Sequence, residues 1–205
     1  MIALDYKLRL GTVQQTHHVI RNRIEDNVTL MDIIENALSI ELEHGGKRFI
    51  LLDEFGKLSL RAADSPEMDS GIVLNKGTVG SVSFFSSVDK RSNRVKVSRY
   101  DRKSGKREIY VAKDSSSESK LGVLQSYAKI ADPEEVLSVQ AKAILALHNK
   151  DERFLSVRNA LGDAGVRGGS TVIVNLDELK GRTRVLRCLH RLSGNQHFMD
   201  LDLGV

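Results

Sequence analysis

With 205 residues, 40% of them hydrophobic, the chain is long enough for one large core or two small ones. Aromatic residues make up only 5% and tryptophan is absent, so that core must be aliphatic, and a stacking platform for bases or sugars is disfavoured. The net charge of +4 conceals a segment of +7 at residues 89–107, and the single cysteine, Cys188, excludes an intrachain disulfide.

The start, MIALDYKLRLG, has no signal-peptide apolar stretch. Nowhere does a run of about 18 apolar residues offer to span a bilayer, so a soluble protein is expected. Residues 1–12 read as a short amphipathic piece ending at Gly11, and 13–28 as polar and weakly patterned. His17 and His18 invite a metal reading, but adjacent side chains diverge and neither has a Cys, Asp or Glu at i,i+4. Residues 29–44 form the clearest helix. Thr29 is the N-cap, Asp32 sits in the first turn, and Leu30, Ile33, Ile34, Ala37, Leu38 and Leu42 make the apolar stripe. Gly45-Gly46 ends it.

A hairpin follows, with Phe49 to Leu52 and Lys57 to Arg61 joined by Asp53-Glu54-Phe55-Gly56. Asp53 and Glu54 suggest a general acid/base pair, yet acidic residues beside a turn glycine are commonly there for backbone reasons. Residues 62–81 are loop-rich, and a domain boundary is placed at 75–81. Lys76-Gly77-Thr78 lacks the upstream glycine of a phosphate loop.

Val82 to Ser87 is a strand, and Asn93 to Asp101 with Arg107 to Lys113 is a hairpin whose turn is Arg102-Lys103-Ser104-Gly105-Lys106. Its cations are Lys90, Arg91, Arg94, Lys96, Arg99, Arg102, Lys103, Lys106 and Arg107, opposed only by Asp89 and Asp101. They serve either an anionic partner or the protection of an exposed strand edge. Residues 114–119 read as a polar turn and 121–130 as extended. A second helix spans 133–149, with Asp132 as cap, Pro133 first, Glu134-Glu135 on the dipole, and Val136, Val139, Ala143, Ile144 and Leu147 as its stripe.

From 151 onward the chain reads as all β. Its strands are Arg153 to Leu161, Ser170 to Leu176, Arg182 to Leu192 and His197 to Leu203. Short strands with glycine-rich turns suggest a closed or nearly closed barrel. Gly165 to Gly169 opens a strand, not a helix, which argues against dinucleotide binding. No GxSxG, HExxH or CxxC occurs. His190 and His197 lie on β-like segments where they could meet across a strand pair near Cys188, a pattern more common for structural histidines than for a site. The expected fold is α+β: a small α/β domain over 1–80, incomplete at its start, then a barrel-like domain over 81–205 with a flanking helix.

The ordered motifs TLMDIIENAL, LLDEFGKLSLR, N-x-VKV, SGKREIYVAKDS, K-x-G-x-LQ-x-Y and LGD-x-x-VR-x-GS-x-V resemble the XkdQ/YqbQ family of prophage and contractile-tail proteins. The resemblance runs from about Leu8 to Leu203. It implies kinship with late-control-D and baseplate-hub proteins, hence a structural tail component, not an enzyme, that joins tube to spike and carries no cofactor. It implies a homotrimer of the full-length protein within the tail particle, assembled in the bacterial cytoplasm. Its neighbours would be tube, spike and LysM-containing tail proteins, with DNA only in transit and no membrane contact. A further β domain and helix are implied ahead of the segment that here reads KLRLGT. On this reading the nine hairpin cations are subunit or channel contacts. The alternative from charge alone is a nucleic-acid-binding module using residues 90–107.

Overall fold

The computed structural model describes residues 2–20, 23–100, 105–130, 136–177 and 179–205. They form two compact units, interleaved along the chain. The first comprises Met1–Gln15, Arg48–Ser87 and Glu152–Val205; the second comprises Thr16–Lys47 and Val88–Asp151. The sequence suggested a sequential division after residue 80, a point that lies inside the first unit.

The first unit opens with α1 (Ile2–Asp5) and β1 (Leu10–Val13). β1 runs parallel to β3 (Leu58–Ala62), which pairs antiparallel with β2 (Phe49–Asp53). The β2–β3 turn is closed by reciprocal backbone bonds between Glu54 and Lys57. Phe55 (φ 53°) and Gly56 (φ 77°) are both left-handed, as a two-residue turn of this twist requires. A bulky Phe55 in that region, fully exposed, is unusual.

Six more strands make the second sheet of this unit: β4 (Asp69–Asn75), β5 (Ser81–Ser87), β9 (Glu152–Leu161), β10 (Thr171–Asn175), β11 (Lys180–Ser193) and β12 (Gln196–Gly204). Their order is β4-β10-β11-β12-β9-β5. Inward side chains Leu155, Val157, Val172, Val174, Val185, Met199, Leu201 and Leu203 are buried in one cluster with Leu74 and Val166. Period-2 alternation on β12, where Met199, Leu201 and Leu203 are buried, delivers that face.

The expected closed barrel is not formed. Among the described residues β4 and β5 do not pair, and they occupy the two edges of an open sheet. The sheet is nonetheless strongly curled. Laid flat, its edges would stand about 24 Å apart, five strand spacings. Yet Thr78 N–H bonds Asn75 C=O at the end of β4, while Leu161 N–H bonds Thr78 C=O and Gly80 N–H bonds Arg158 C=O along β9. A closed turn brings its ends within about 7 Å. The two edges therefore meet at residues 75–80 and part beyond, because β4 follows β10, β5 follows β9, and strand twist carries them away from each other. β4, in a stretch expected to be loop-rich apart from a strand-like Ile72 to Asn75, is a strand from Asp69 onward, preceded by a 3₁₀ turn at Pro66–Met68.

The second unit holds α2 (Leu30–Glu43), β6 (Arg94–Tyr100), β7 (Arg107–Lys113), α3 (Ser115–Leu121), β8 (Gln125–Lys129) and α4 (Leu137–His148). Thr29 caps α2 in a full capping box: its hydroxyl accepts from Asp32 N–H, and the Asp32 carboxylate accepts from Thr29 N–H. Thr29→Ala is expected to cost about 1 kcal/mol, read as a lower urea midpoint at unchanged slope. The helix ends at His44, with Gly45 left-handed as the glycine pair predicts.

The sheet order is β7-β6-β8, with β6 antiparallel to β7 and parallel to β8. α4 covers one face, burying Val95, Val97 and Ala112 against Ala141 and Ile144, with Leu137 and Leu145 alongside. Of the predicted stripe Ile144 is buried, while Val136 and Val139 are exposed and Leu137, Gln140, Ala141 and Leu145 share the inward face with it. The expected start of this helix at Asp132 to Glu135 lies outside the described residues. The predicted polar turn at 114–119 is instead α3, capped by the Asp114 carboxylate accepting from Ser116 and Ser117 N–H.

Candidate functional site

The face of the β7-β6-β8 sheet away from α4 gathers several cations that meet no carboxylate among the described residues. Register places it row by row. Lys113, Arg94 and Gln125 lie side by side; then Val111, Lys96 and Tyr127; then Ile109, Ser98 and Lys129; then Arg107 and Tyr100. Val95 and Val97 alternate with these residues and point into the core, which fixes the orientation of the rest.

In the first row Arg94 is neutralised, while Lys113 has no carboxylate partner among the described residues. Arg94 Nε donates to Glu118 Oε1 at 2.7 Å. That hydrogen bond, with the charges of Arg94 and then Lys113, holds the Glu118 carboxyl below its usual range against the opposing effect of burial. The remaining rows are not neutralised. Arg107 reaches across β6, donating to Tyr127 Oη at 2.6 Å and Ser98 Oγ at 3.2 Å, with its guanidinium 5.7 Å from the Tyr127 ring centroid. Ser98 and Tyr127 share a 2.6 Å hydrogen bond. This bond, opposed by burial and reinforced by the charges of Arg107 and Lys129, lowers the Tyr127 phenol below its ordinary value. Among the described residues Lys96, Arg107 and Lys129 have no carboxylate partner. Beside them Ile109 and Val111 are 49% and 44% exposed.

The nine hairpin cations are thus dispersed. Arg91 turns inward to Asp151 (2.5 Å), Asn149 and Ser117. Arg94 is taken by Glu118 and Arg99 by Glu108 across the strand pair. Lys90 and Lys106 each hold a contact of their own. Arg102 and Lys103 lie outside the described residues. Only Lys96 and Arg107 meet on the open face, joined by Lys129, which charge counting along the hairpin missed. The signal was the parallel register of β8 on β6, which no local window displays.

The chemical candidates resolve differently. Asp53 Oδ1 accepts from Gly56 N–H at 2.7 Å, a turn contact. Hydrogen bonds from Arg61 and Ser59, then the charges of Arg61 and Arg167, push Glu54 down to about 2 against the effect of burial. A carboxylate held that acidic is a poor general base near neutrality. His190 and His197 do meet, Nδ1 to Nε2 at 2.9 Å. His190 Nε2 lies 2.8 Å from the Val166 carbonyl, which can only accept, so Nε2 carries a proton while Nδ1 faces His197. The pair pins the 162–169 loop, whose Val166 is in the core. Cys188 Sγ sits 3.2 Å from His190 Nε2, but burial, then Asp200, push the thiol up, away from the reactive thiolate. His18 stacks on His44, and the His17 and His18 amides bond Glu41. Among the described residues no three His, Cys, Asp or Glu are arranged to hold a metal, and no helix is long and apolar enough to cross a membrane.

A family model described as YqbQ-like matches residues 1–204. The phage-like element PBSX protein XkdQ of Bacillus subtilis (strain 168) is 30% identical over 208 residues, 98% of this chain and 63% of that protein. The protein YqbQ of the same strain is 26% identical over the same shares. The chain therefore spans about 63% of the length of these relatives. Two solved tail proteins share the fold. One, from prophage MuSo2 of Shewanella oneidensis, superposes with a TM-score of 0.62 at 13% identity, over 98% of this chain and 62% of that one. The other, from Neisseria meningitidis, superposes with 0.62 at 16% identity, over 100% and 64%.

Proposed function

Since the chain belongs to the YqbQ-like family, we propose that it is a structural component of a phage or prophage contractile tail, placed at the distal hub or baseplate where tube meets spike. The observation that carries this reading is the match over residues 1–204, with a relative from a phage-like element 30% identical along 98% of the chain. The fold shared with two tail proteins supports it. Its partners are other tail proteins: tube, spike and a LysM-containing component. The particle is built in the host cytoplasm, and DNA meets the protein only in transit.

The geometry suits assembly better than catalysis. Glu54 and Cys188, the groups that invited a reaction, are held in states that suit neither acid/base nor nucleophilic work. β5 is an edge strand whose backbone pairs on one side with β9. Its sequence SVSFFSS lacks the charges and prolines that usually blunt an edge, and Val82, Phe84 and Phe85 stay substantially exposed. Phe84 and Val82 line a cleft of about 320 Å³ with Leu155, Leu176 and Leu179 where the sheet edges part. Such an edge fits strand pairing with a neighbouring subunit, the trimer of the full-length protein.

Deleting the coding gene from a bacterium that produces the tail is expected to leave tails without a finished distal end, restored by supplying the protein. The longer form carrying the extra length of its relatives is expected to show three times its monomer mass by light scattering. Normal tails in the deletion strain would overturn the role, and a stable monomer of the longer form would overturn the trimer.

A further inference from the structure

We infer that the open face of the β7-β6-β8 sheet is a docking surface for a protein partner that presents carboxylates beside aliphatic side chains. Charge complementarity is joined there to apolar exposure. Lys96, Arg107 and Lys129 converge around Tyr127 on one sheet face without a carboxylate partner among the described residues. Three cations so placed raise a local positive potential that an incoming acidic surface would meet. Adjacent positions on β7 hold Ile109 and Val111, each nearly half exposed beside the cations. Half-exposed aliphatic residues next to unpaired charge are an interface composition; here the pair lies along edge strand β7, with Lys96 on the central strand and Lys129 on the far one.

The same residues disfavour a nucleic acid. A flat sheet face does not enter the groove of a duplex, which admits a helix or a two-stranded ribbon. Single strands are held by aromatic rings on which bases stack. Here the Tyr127 hydroxyl is tied to Ser98 and Arg107, and the Arg107 guanidinium stands over its ring. Tyr100, 58% exposed at the end of β6, is a single further ring on this face, and Ile109 and Val111 offer none. The face therefore reads apolar and anionic features together, a protein's signature. This inference rests on the assembly role proposed above for the source of the partner, not for its chemistry.

The test uses the whole chain and two probes of matched charge in fluorescence anisotropy. One is an alternating Glu-Val peptide of about sixteen residues; the other is a thymidine oligonucleotide. The peptide is expected to bind, and to bind several-fold more weakly when salt rises from about 50 to about 200 mM. The double change Lys96→Glu with Lys129→Glu is expected to weaken it at least tenfold. Ile109→Ser with Val111→Ser is expected to weaken the peptide several-fold and leave the oligonucleotide unchanged. All four positions lie on the sheet surface, and circular dichroism melts confirm that each variant folds. Absence of peptide binding, or binding indifferent to charge reversal, would overturn the inference. So would an oligonucleotide that binds more tightly than the peptide, which would assign the face to nucleic acid. Docking lost while the longer form remains trimeric and tails assemble would leave the assembly role intact; the converse would leave the docking face intact.

Discussion

Leu201→Ala is expected to lower the free energy of unfolding by about 3 kcal/mol. Leu201 is fully buried on β12, flanked by Cys188 on β11 and Val157 on β9, so it stands in the middle of the curled sheet. Truncation removes transfer energy and leaves a cavity. The surrounding residues are aliphatic, many of them stiff valines, and are held by ladders on both sides, which limits collapse into the space. For a chain of this size about 3 kcal/mol corresponds to a fall in melting temperature of roughly 6–12 °C. Leu192, 76% exposed on β11, supplies the control: Leu192→Ala is expected to stay within about 0.5 kcal/mol. Urea titrations of both variants decide the matter. Equal effects would mean that the concave face is not where the unit stores its stability.

Elements whose cause is local were legible. Thr29 announces an N-cap and Asp32 a charge in the first turn; Asp53-Glu54-Phe55-Gly56 announces a tight turn, one residue early; alternating Val95 and Val97 announce a strand with one buried face. What escaped depends on distant partners. β4 is a strand because Asp69 through Asn75 run parallel to Thr171 through Asn175, about a hundred residues away. Its left-handed Gly71 and polar start read locally as loop. α3, with the sequence SSSESKL, has no apolar stripe, and only the Asp114 carboxylate betrays it. Ile144 was read correctly, but the first turn of the α4 stripe was not, because Val136 and Val139 are as apolar as Leu137, and the sheet alone decides which face is covered.

The candidate face shows the same division. Charge along the hairpin was visible, but its neutralisation was not, because Glu118 and Asp151 reach Arg94 and Arg91 from segments 24 and 60 residues on. Lys129 joined the cluster through the β6–β8 register. Closure failed for a related reason. Strand count and glycine turns describe a barrel equally well whether or not the last pair forms, and that pair depends on how twist accumulates around the sheet.

Glu41→Gln is expected to destabilise the second unit by about 2 kcal/mol at neutral pH, and by almost nothing in acid. Glu41 is 2% exposed on the inner side of α2. Its carboxylate accepts the His17 amide at 3.1 Å and the His18 amide at 2.7 Å, tethering residues before the helix to its last turn. Space for it is kept by Gly46, where a Cβ would fall 2.1 Å from Oε1. Burial alone would push this carboxyl up. The His18 and His17 amides, with the His17 ring 3.4 Å away, outweigh it and bring the group below its ordinary value. A carboxyl whose value is lowered on folding contributes stability that is fully present above the unfolded value of about 4.3 and lost as pH falls through the folded value beneath it. Glutamine mimics the protonated acid: it retains one acceptor oxygen and sets an NH₂ group against an amide donor. The wild-type and Glu41→Gln unfolding curves should therefore differ at pH 7 and converge below about pH 4. Denaturant titrations across that range provide the measurement. A difference that persists unchanged into acid would show that shape, not the charge of the carboxylate, anchors the segment to α2.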